Sequence, residues 1–214
     1  MAMRRQRGYQ AKQRNTGARK RRSVILISTE GKNKTESQYF NDFAKAWNLN
    51  IKFAPGNYTD PINMVKTLRK EYHEREMDTE LGDKAYCLVD SDVDPRKNSA
   101  LAKADAITVK DGLRLIVSSP CFEIWCLCHF GKSTTQYSSS SAVIDDLRKK
   151  LPGYKKSGEG LYSLLAEQTK AAIENAEFLE KACLESGRKP HTVEFSPSTE
   201  VYQVVKELLY GCDE

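Results

Sequence analysis

Three acidic residues follow two short apolar runs, at the points where those runs end. Glu30 comes after the run at residues 24–28, and Asp90 and Asp92 come after the run at residues 85–89. If both runs are parallel strands of one sheet, their carboxyl ends meet at the edge where open α/β sheets bind ligands. Clustered carboxylates repel one another without a cation, and their hard oxygens suit Mg²⁺ or Mn²⁺. The sequence therefore predicts metal-dependent phosphate chemistry at this edge.

The spacing of the three acids indicates a role for each. Asp90 and Asp92 can both face a metal ion if the chain turns off the strand between them. A metal ion held there polarises a phosphoryl oxygen and stabilises the charge of the transition state. Glu30 either completes the ligand set or acts as general base or acid, and both roles stay open. Gly31 permits a tight turn and the close approach of a substrate.

Two further carboxylates are candidate metal ligands. Glu123 lies in the very apolar segment 120–130. An unpaired buried carboxylate costs several kcal/mol, so we expect Glu123 to meet a cation, a basic side chain or a second metal. The alternative is a carboxylate at a helix start, satisfied by backbone N–H groups. Asp94 is the weaker candidate, because an aspartate before a proline also favours a turn.

Other reactive residue types do not form a recognisable site. The run from Cys126 to His129 lacks the second ligand pair that a structural zinc site needs, so core packing is favoured. The six cysteines are interpreted as reduced thiols, most of them in the core. Gly153, Gly158 and Gly160 are not followed by the lysine of a phosphate-binding loop, so the chain is not expected to hydrolyse ATP by itself.

The composition is that of a globular protein without membrane segments. The chain has 214 residues, 39% of them hydrophobic and 29% charged, with a mean hydropathy of -0.62. This length fits one domain with appendages. No apolar run approaches the ~20 residues needed to cross a bilayer, and the N-terminus lacks the apolar stretch of a secretory signal. We therefore expect a cytoplasmic protein.

The positive charge is concentrated at the N-terminus. Residues 1–22 contain nine Lys and Arg but no Asp or Glu, whereas the whole chain has a net charge of +5. The segment predicts a basic disordered arm that contacts nucleic-acid phosphates in a salt-dependent way, with a solvated tail as the alternative. Lys155 and Lys156 can likewise be interpreted as phosphate contacts or as part of a solvated face. The candidate phosphate contacts are Arg19, Lys20, Arg21, Arg22, Lys155 and Lys156.

The elements that must position these residues alternate between strand and helix as far as residue 118. This alternation predicts an α/β fold with a sheet of about four mostly parallel strands, flanked by helices. Capping patterns at Thr35 and at Asp60 predict two of the helix starts. The predicted strands are 24–28, 50–54, 85–89 and 113–118. Of the three predicted helices between them, the first begins at residue 35, the second begins at residue 61 and the third spans 99–107.

The rest of the chain is predicted to be helical. The expected helices are 120–130, 142–151, 160–185 and 198–210, with a polar loop or flexible lid at 138–141. The predicted organisation is a basic arm at 1–22, an α/β core at 23–135 and a helical extension at 136–214 that packs on the core.

Six segments of the chain have the character of family motifs: Val24 to Gly31, Thr35-Glu36, Tyr39-Phe40, Ser119 to Phe130, Tyr154-Lys155-Lys156 and Ser196 to Val201. Together these segments resemble the RloB-like protein family. The resemblance covers about residues 22–210, and its combination of motifs is specific although no single motif is. One departure is Ser119, where the family more often has asparagine.

The resemblance implies a Toprim-type fold, the catalytic module shared by topoisomerases, primases and OLD-family nucleases. That module has one glutamate after its first strand and an Asp-x-Asp after its third, which fall here on Glu30, Asp90 and Asp92. Glu123 lies in a further signature of the family. The family also implies a bacterial setting near restriction or phage-defence genes, often beside an AAA-type ATPase as partner.

The placement of the acids, together with this resemblance, favours a Mg²⁺-dependent nuclease. The resemblance further implies that the nuclease is the effector of a bacterial anti-phage defence system. Duplex DNA, single strands and tRNA all stay open as substrates, and so does assembly into a homo-oligomer. A first alternative is a non-catalytic subunit that binds nucleic acid or an ATPase. A second is nucleotidyl or phosphoryl transfer to a small nucleotide, since similar carboxylate sites perform that chemistry.

Overall fold

A five-stranded sheet forms the centre of the fold. The computed structural model describes residues 21–31 and 35–211. Within these residues the strand order is β2-β1-β3-β4-β5, with β1 to β4 parallel and β5 antiparallel to β4. The predicted α/β class and mostly parallel sheet are confirmed. The strands are β1 (Ile25–Ser28), β2 (Ile51–Phe53), β3 (Lys84–Asp90), β4 (Arg114–Ser119) and β5 (Ser198–Thr199).

Helices cover both faces of this sheet. Alternate residues of a strand point to opposite faces, so Ile25 and Ile27 enter one core and Leu26 enters the other. This arrangement explains why the strands appear in the sequence as continuous apolar runs. The helices are α1 (Thr35–Trp47), α2 (Pro61–Glu74), α3 (Lys97–Lys110), α4 (Glu123–Cys128), α5 (Ser140–Lys150), α6 (Leu161–Leu165), α7 (Thr169–Glu185) and α8 (Val201–Tyr210).

The two cores differ in size. Buried residues of α2 and α3 share the smaller core with one face of the sheet. Residues of α1 and of α4 to α8 share the larger core with the other face. The helices that follow residue 120 therefore pack on the same side of the sheet as α1.

The predicted helix over 160–185 is wrong in one respect, because the structure interrupts it. Helix α6 ends at Leu165, a 3-10 turn occupies Ala166–Gln168, and α7 begins at Thr169. Helix α6 packs against α1, whereas α7 packs against α4, α8 and β5. A straight helix cannot reach both sets of neighbours, so the chain bends between them.

The helix predicted from Ser198 begins later than expected. Ser198 and Thr199 form β5 beside β4, and the hydroxyls of Ser118 and Thr199 lie 2.9 Å apart. The Glu200 carboxylate then accepts a 2.8 Å hydrogen bond from the N–H of Val117. These polar partners hold the segment at the edge of the sheet, and α8 starts only at Val201.

Two other helix starts differ from the predicted ones. Helix α3 begins at Lys97 rather than at residue 99, which brings Lys97 to the carboxyl edge of the sheet. Helix α5 begins at Ser140, and Ser139 caps it by accepting a hydrogen bond from the N–H of Ala142. Part of the predicted loop at 138–141 is therefore helical. The Asp60 cap of α2 is confirmed, since its side chain accepts from the N–H of Asn63.

The described residues also bear on two compositional expectations. No helix within them has the length and apolar character that a membrane span requires. Five of the six cysteines lie within the described residues, and all five are buried and free of disulfides. Their burial agrees with their interpretation as core residues.

Candidate functional site

The three predicted acids lie together at the carboxyl edge of the sheet. Glu30 follows β1 after one residue, and Asp90 is the last residue of the adjacent β3. The Asp90 N–H donates a 3.2 Å hydrogen bond to Glu30 Oε2. Asp92 and Val93 both adopt left-handed φ angles, of 53° and 54°, so the chain turns off the strand directly after Ser91. This turn keeps Asp92 beside the other two acids.

A lysine that the sequence interpretation missed lies among these acids. The Lys97 ammonium is 2.7 Å from Asp92 Oδ2 and 3.2 Å from Glu30 Oε1. It also donates a 2.8 Å hydrogen bond to the carbonyl oxygen of Asp90. Burial alone would lower the pKa of Lys97, but the hydrogen bond to Asp92 and the charge of Glu30 raise it. Lys97 is therefore a charged partner of two of the three predicted acids.

Two more carboxylates approach the site from the helices of the larger core. Glu36 lies in the first turn of α1, Glu123 is the first residue of α4, and both are buried. Burial, followed by the charges of Glu36, Glu30 and Glu123, raises the pKa of Asp90 well above its usual range. The acidic cluster consists of five residues in all: Glu30, Glu36, Asp90, Asp92 and Glu123.

Glu36 is the second functional candidate that the sequence interpretation missed. Burial, with a contribution from the charge of Glu123, raises the pKa of Glu36 to about 8. The positive charge of Lys156 partly offsets this rise. Within the described part of the chain, Glu36 Oε2 has no hydrogen-bond partner. The sequence signal was present, since Thr35-Glu36 belongs to a capping pattern, but that pattern already explained the glutamate as a helix start.

Glu123 has a hydrogen-bond partner that the sequence analysis did not name. The Tyr154 hydroxyl donates a 2.6 Å hydrogen bond to Glu123 Oε1, and both residues are buried. Neither a basic side chain nor the backbone near Pro120 is needed to account for this oxygen. Tyr154 comes from the segment between α5 and α6, so that segment contributes directly to the acidic cluster.

The two predicted lysines follow Tyr154 on the same segment. Lys155 and Lys156 are both exposed. The N–H of Ser157 donates a 2.9 Å hydrogen bond to Thr35 Oγ1, which ties the segment to the start of α1. The exposed lysines therefore flank the buried end of the acidic cluster.

Asp94 pairs with an arginine near it in the chain. Its carboxylate forms a 2.8 Å ion pair with Arg96 and also accepts the Arg96 N–H. The hydrogen bonds from Arg96 lower the pKa of Asp94. Asp94 thus stabilises the turn that leads into α3, which was the alternative interpretation of this residue.

Gly31 occupies a turn next to Glu30. Its φ angle is 57°, in the left-handed region that favours glycine, and its N–H donates a 2.8 Å hydrogen bond to the carbonyl of Tyr58. A Cβ atom added at this position would lie 3.3 Å from Thr59 Cγ2. A side chain here would therefore be strained in its backbone and crowded by Thr59.

The structure describes two of the four predicted basic contacts at the N-terminus. Arg19 and Lys20 lie outside the described residues. Arg21 forms a 2.9 Å ion pair with the buried Asp83, and Arg22 donates to the carbonyl of Asn48. Asp83 directly precedes β3, so these arginines are at the amino edge of the sheet, opposite the acidic cluster.

The donor set of the acidic cluster has the chemistry of a site for a hard divalent cation. All five side chains offer carboxylate oxygens, and Glu36 Oε2 is buried without a partner in the described residues. Their arrangement is not a ready-made coordination shell, however. Across residues 21–31 and 35–211, no group of three or more His, Cys, Asp or Glu is arranged to hold a metal ion. The ammonium of Lys97 lies between Glu30 and Asp92 and provides the positive charge there.

The segment from Cys126 to His129 packs in the core, as predicted. Cys126 and Cys128 are buried in the larger core, and His129 Nδ1 lies 2.9 Å from the carbonyl oxygen of Trp125. Burial lowers the pKa of His129 to about 4. The histidine therefore stays neutral and interacts with its own helix.

Comparisons with known proteins identify one relationship. A family model described as RloB-like protein matches residues 25–208 of the chain. The matched range contains all five strands and the whole acidic cluster. No curated protein and no solved structure matches the chain.

Proposed function

Since the chain belongs to the RloB-like protein family, we propose that it is a Mg²⁺- or Mn²⁺-dependent nuclease of the Toprim type. The proposal rests on one observation, which is the convergence of Glu30, Asp90 and Asp92 at the carboxyl edge of a parallel sheet. Glu36 and Glu123 add two more carboxylates to the same place. Four buried or partly buried acids, with the more exposed Asp92 beside them, are costly unless a cation offsets their charge.

Several residues in and around the cluster have candidate tasks in this reaction. Asp90 and Asp92 would hold the divalent cation, which supplies positive charge to a phosphoryl oxygen when bound. Glu30 either completes the ligand set or moves a proton at the attacking or leaving oxygen. Tyr154 holds Glu123 in place through its hydroxyl. Lys155 and Lys156 lie where they can contact the phosphates of a nucleic acid on the exposed side.

The test is cleavage of a mixed nucleic-acid panel in Mg²⁺. The full chain, with and without an AAA-type ATPase partner, is incubated with duplex DNA, single-stranded DNA and tRNA. Asp90→Asn is expected to reduce cleavage about a hundredfold or more, because it removes a group that acts on the transition state. The matched control is Asp145→Asn on the exposed side of α5, which keeps full cleavage. Equal cleavage by wild type and Asp90→Asn would exclude this site as the nuclease centre.

One observation favours a second function, that of a non-catalytic subunit. Lys97 already pairs with Glu30 and Asp92, so these two acids are stabilised without a metal ion. In this case the chain binds nucleic acid or an ATPase of a defence complex and cleaves nothing. Nucleic-acid binding that weakens steeply with salt, falls on deletion of residues 1–20 and shows no Mg²⁺-dependent cleavage would favour this function over the first.

The biological setting is proposed from the family resemblance and not from the geometry. We propose that the nuclease is an effector of bacterial anti-phage defence, acting in the cytoplasm beside an ATPase. Infection of cells that carry the wild-type gene or its Asp90→Asn variant tests this. Protection against phage by the wild type alone supports the role, and equal protection by the variant contradicts it.

A further inference from the structure

Lys97 uses all of its hydrogen-bonding capacity inside the acidic cluster. An ammonium group has three N–H donors. Here its three acceptors are Asp92 Oδ2 at 2.7 Å, the Asp90 carbonyl oxygen at 2.8 Å and Glu30 Oε1 at 3.2 Å. The Lys97 side chain is only 17% exposed, so water contributes little to its solvation. The ammonium occupies the place between two carboxylates where a divalent cation would also be attracted.

The position of Lys97 is not explained by its own helix. Lys97 is the first residue of α3, and the positive end of the helix dipole disfavours a cation there. No such penalty arises at the exposed Lys103, later in the same helix. The carboxylates of Glu30 and Asp92 are therefore the reason that Lys97 lies where it does.

We propose that Lys97 is an internal counter-ion that competes with the divalent cation for Glu30 and Asp92, so that the cation binds only when Lys97 withdraws. This inference rests on the proposed function and adds a form of regulation to it. A divalent cation and an ammonium bound to the same carboxylate oxygens repel each other strongly at such short range. Binding of either cation therefore weakens binding of the other, and the effect is reciprocal.

The geometry provides a route for the withdrawal. Asp92 is 47% exposed, so the side of the cluster where Lys97 enters faces solvent. The lysine side chain is a flexible chain of four carbons, so its ammonium can reach water without a change in the backbone of α3. A nucleic-acid phosphate that approaches from this side would attract the released ammonium, and substrate binding would then favour cation binding.

The first measurement is the affinity for Mn²⁺ alone, by calorimetry and by electron paramagnetic resonance of the free ion. Lys97→Met is expected to bind Mn²⁺ about tenfold more tightly than wild type, a coupling of ordinary size. Lys156→Met tests whether loss of any nearby charge suffices, and exposed charges that are screened by salt should change the affinity about twofold or less. Lys103→Met, on the exposed face of α3, serves as the matched control.

The second measurement needs no substitution of Lys97. The ¹⁵N signal of the Lys97 ammonium in the wild-type protein is followed by NMR as Mg²⁺ is added. If Mg²⁺ displaces the ammonium, the signal should move to the chemical shift of an exposed lysine as Mg²⁺ fills the site. In Asp90→Asn the same titration leaves the signal unchanged.

The outcomes separate this inference from the proposed function. If wild type binds Mn²⁺ in a way that depends on Asp90, but Lys97→Met binds no more tightly and the ammonium signal does not move, the competition is wrong while the metal site stands. An equal gain in Lys156→Met would also overturn it, since mere charge would explain the result. If neither wild type nor Lys97→Met binds Mn²⁺, both the competition and the metal-dependent nuclease are wrong.

Discussion

The hydroxyl of Tyr154 donates a 2.6 Å hydrogen bond to the carboxylate of Glu123. Tyr154 lies between α5 and α6, whereas Glu123 opens α4 directly after the last parallel strand. Burial and the charge of Glu123 raise the pKa of Tyr154 above its ordinary value. The tyrosine therefore stays protonated and remains a donor at physiological pH. This bond joins the C-terminal helical region to the acidic cluster.

Substitution of this tyrosine tests how much the bond stabilises the fold. Tyr154→Phe removes the hydroxyl and leaves Glu123 Oε1 buried without its donor. Hydrogen bonds to charged groups contribute about 1.5–3 kcal/mol, so the free energy of unfolding should fall by about 2 kcal/mol. Urea unfolding followed by tryptophan fluorescence measures the change.

A second tyrosine provides the matched control. Tyr137 donates a 2.8 Å hydrogen bond to Asp146, but this pair is partly exposed and water can replace the hydroxyl. Tyr137→Phe should cost under about 1 kcal/mol. If the two substitutions destabilise the protein equally, the buried hydrogen bond to Glu123 contributes no more to the free energy of unfolding than the partly exposed one.

Glu36 predicts a pH dependence of stability. Burial raises its pKa to about 8, above the ordinary value of 4.5. The folded protein then holds this proton more tightly than the unfolded chain, so the free energy of unfolding falls as pH rises from about 4.5 to about 8.

Glu36→Gln removes this titration and should make the pH profile of stability shallower. The gain in unfolding free energy at pH 8 is expected to be on the order of 2 kcal/mol, measured in a metal chelator. The exposed Glu167→Gln is the control and should follow wild type. Parallel profiles for wild type and Glu36→Gln would show that the carboxyl is not buried as the structure has it.

Much of the fold could be predicted because its signals are local. The strand runs are apolar on both faces, and the Asp60-Pro61 pair marks a helix start unambiguously. Strand β5 could not be predicted in this way. It has two residues, and what makes Ser198 and Thr199 a strand is their pairing with the distant Ser118 and Ser119. The bend between α6 and α7 likewise depends on which helices each segment contacts.

Only the site residues that lie at the ends of predicted strands could be predicted from the sequence. Glu30, Asp90 and Asp92 could be placed together because each lies at or just beyond the carboxyl end of a parallel strand. Lys97 looked like an ordinary surface lysine, since only the three-dimensional turn after Asp90 brings its ammonium among the acids. The sequence did not identify Glu36 as a site residue for a different reason. A glutamate in the first turn of a helix is already explained by its position at the helix start.

Mn²⁺ should stabilise the folded protein through the acidic cluster. A ligand that binds only the folded state at 100 times its Kd adds about 2.7 kcal/mol of stability. Thermal unfolding of wild type and of Asp145→Asn should therefore shift upward with Mn²⁺, and Asp90→Asn should lose most of the shift. A full shift in Asp90→Asn would mean that the ion binds at another place.

Lys155 and Lys156 are expected to contact the phosphates of a bound nucleic acid. They are exposed beside the acidic cluster, on a segment anchored through Ser157 and Thr35. Each phosphate contact with duplex DNA contributes about -0.9 to the slope of log K against log salt concentration. The double variant Lys155→Ala/Lys156→Ala should therefore weaken binding equally for all sequences and make the slope shallower by up to about 2. Lys66→Ala/Lys103→Ala removes two exposed lysines from α2 and α3 on the other face of the sheet and should leave the slope unchanged. Equal losses in both double variants would mean that nucleic acid responds to the net charge of the protein rather than to this segment.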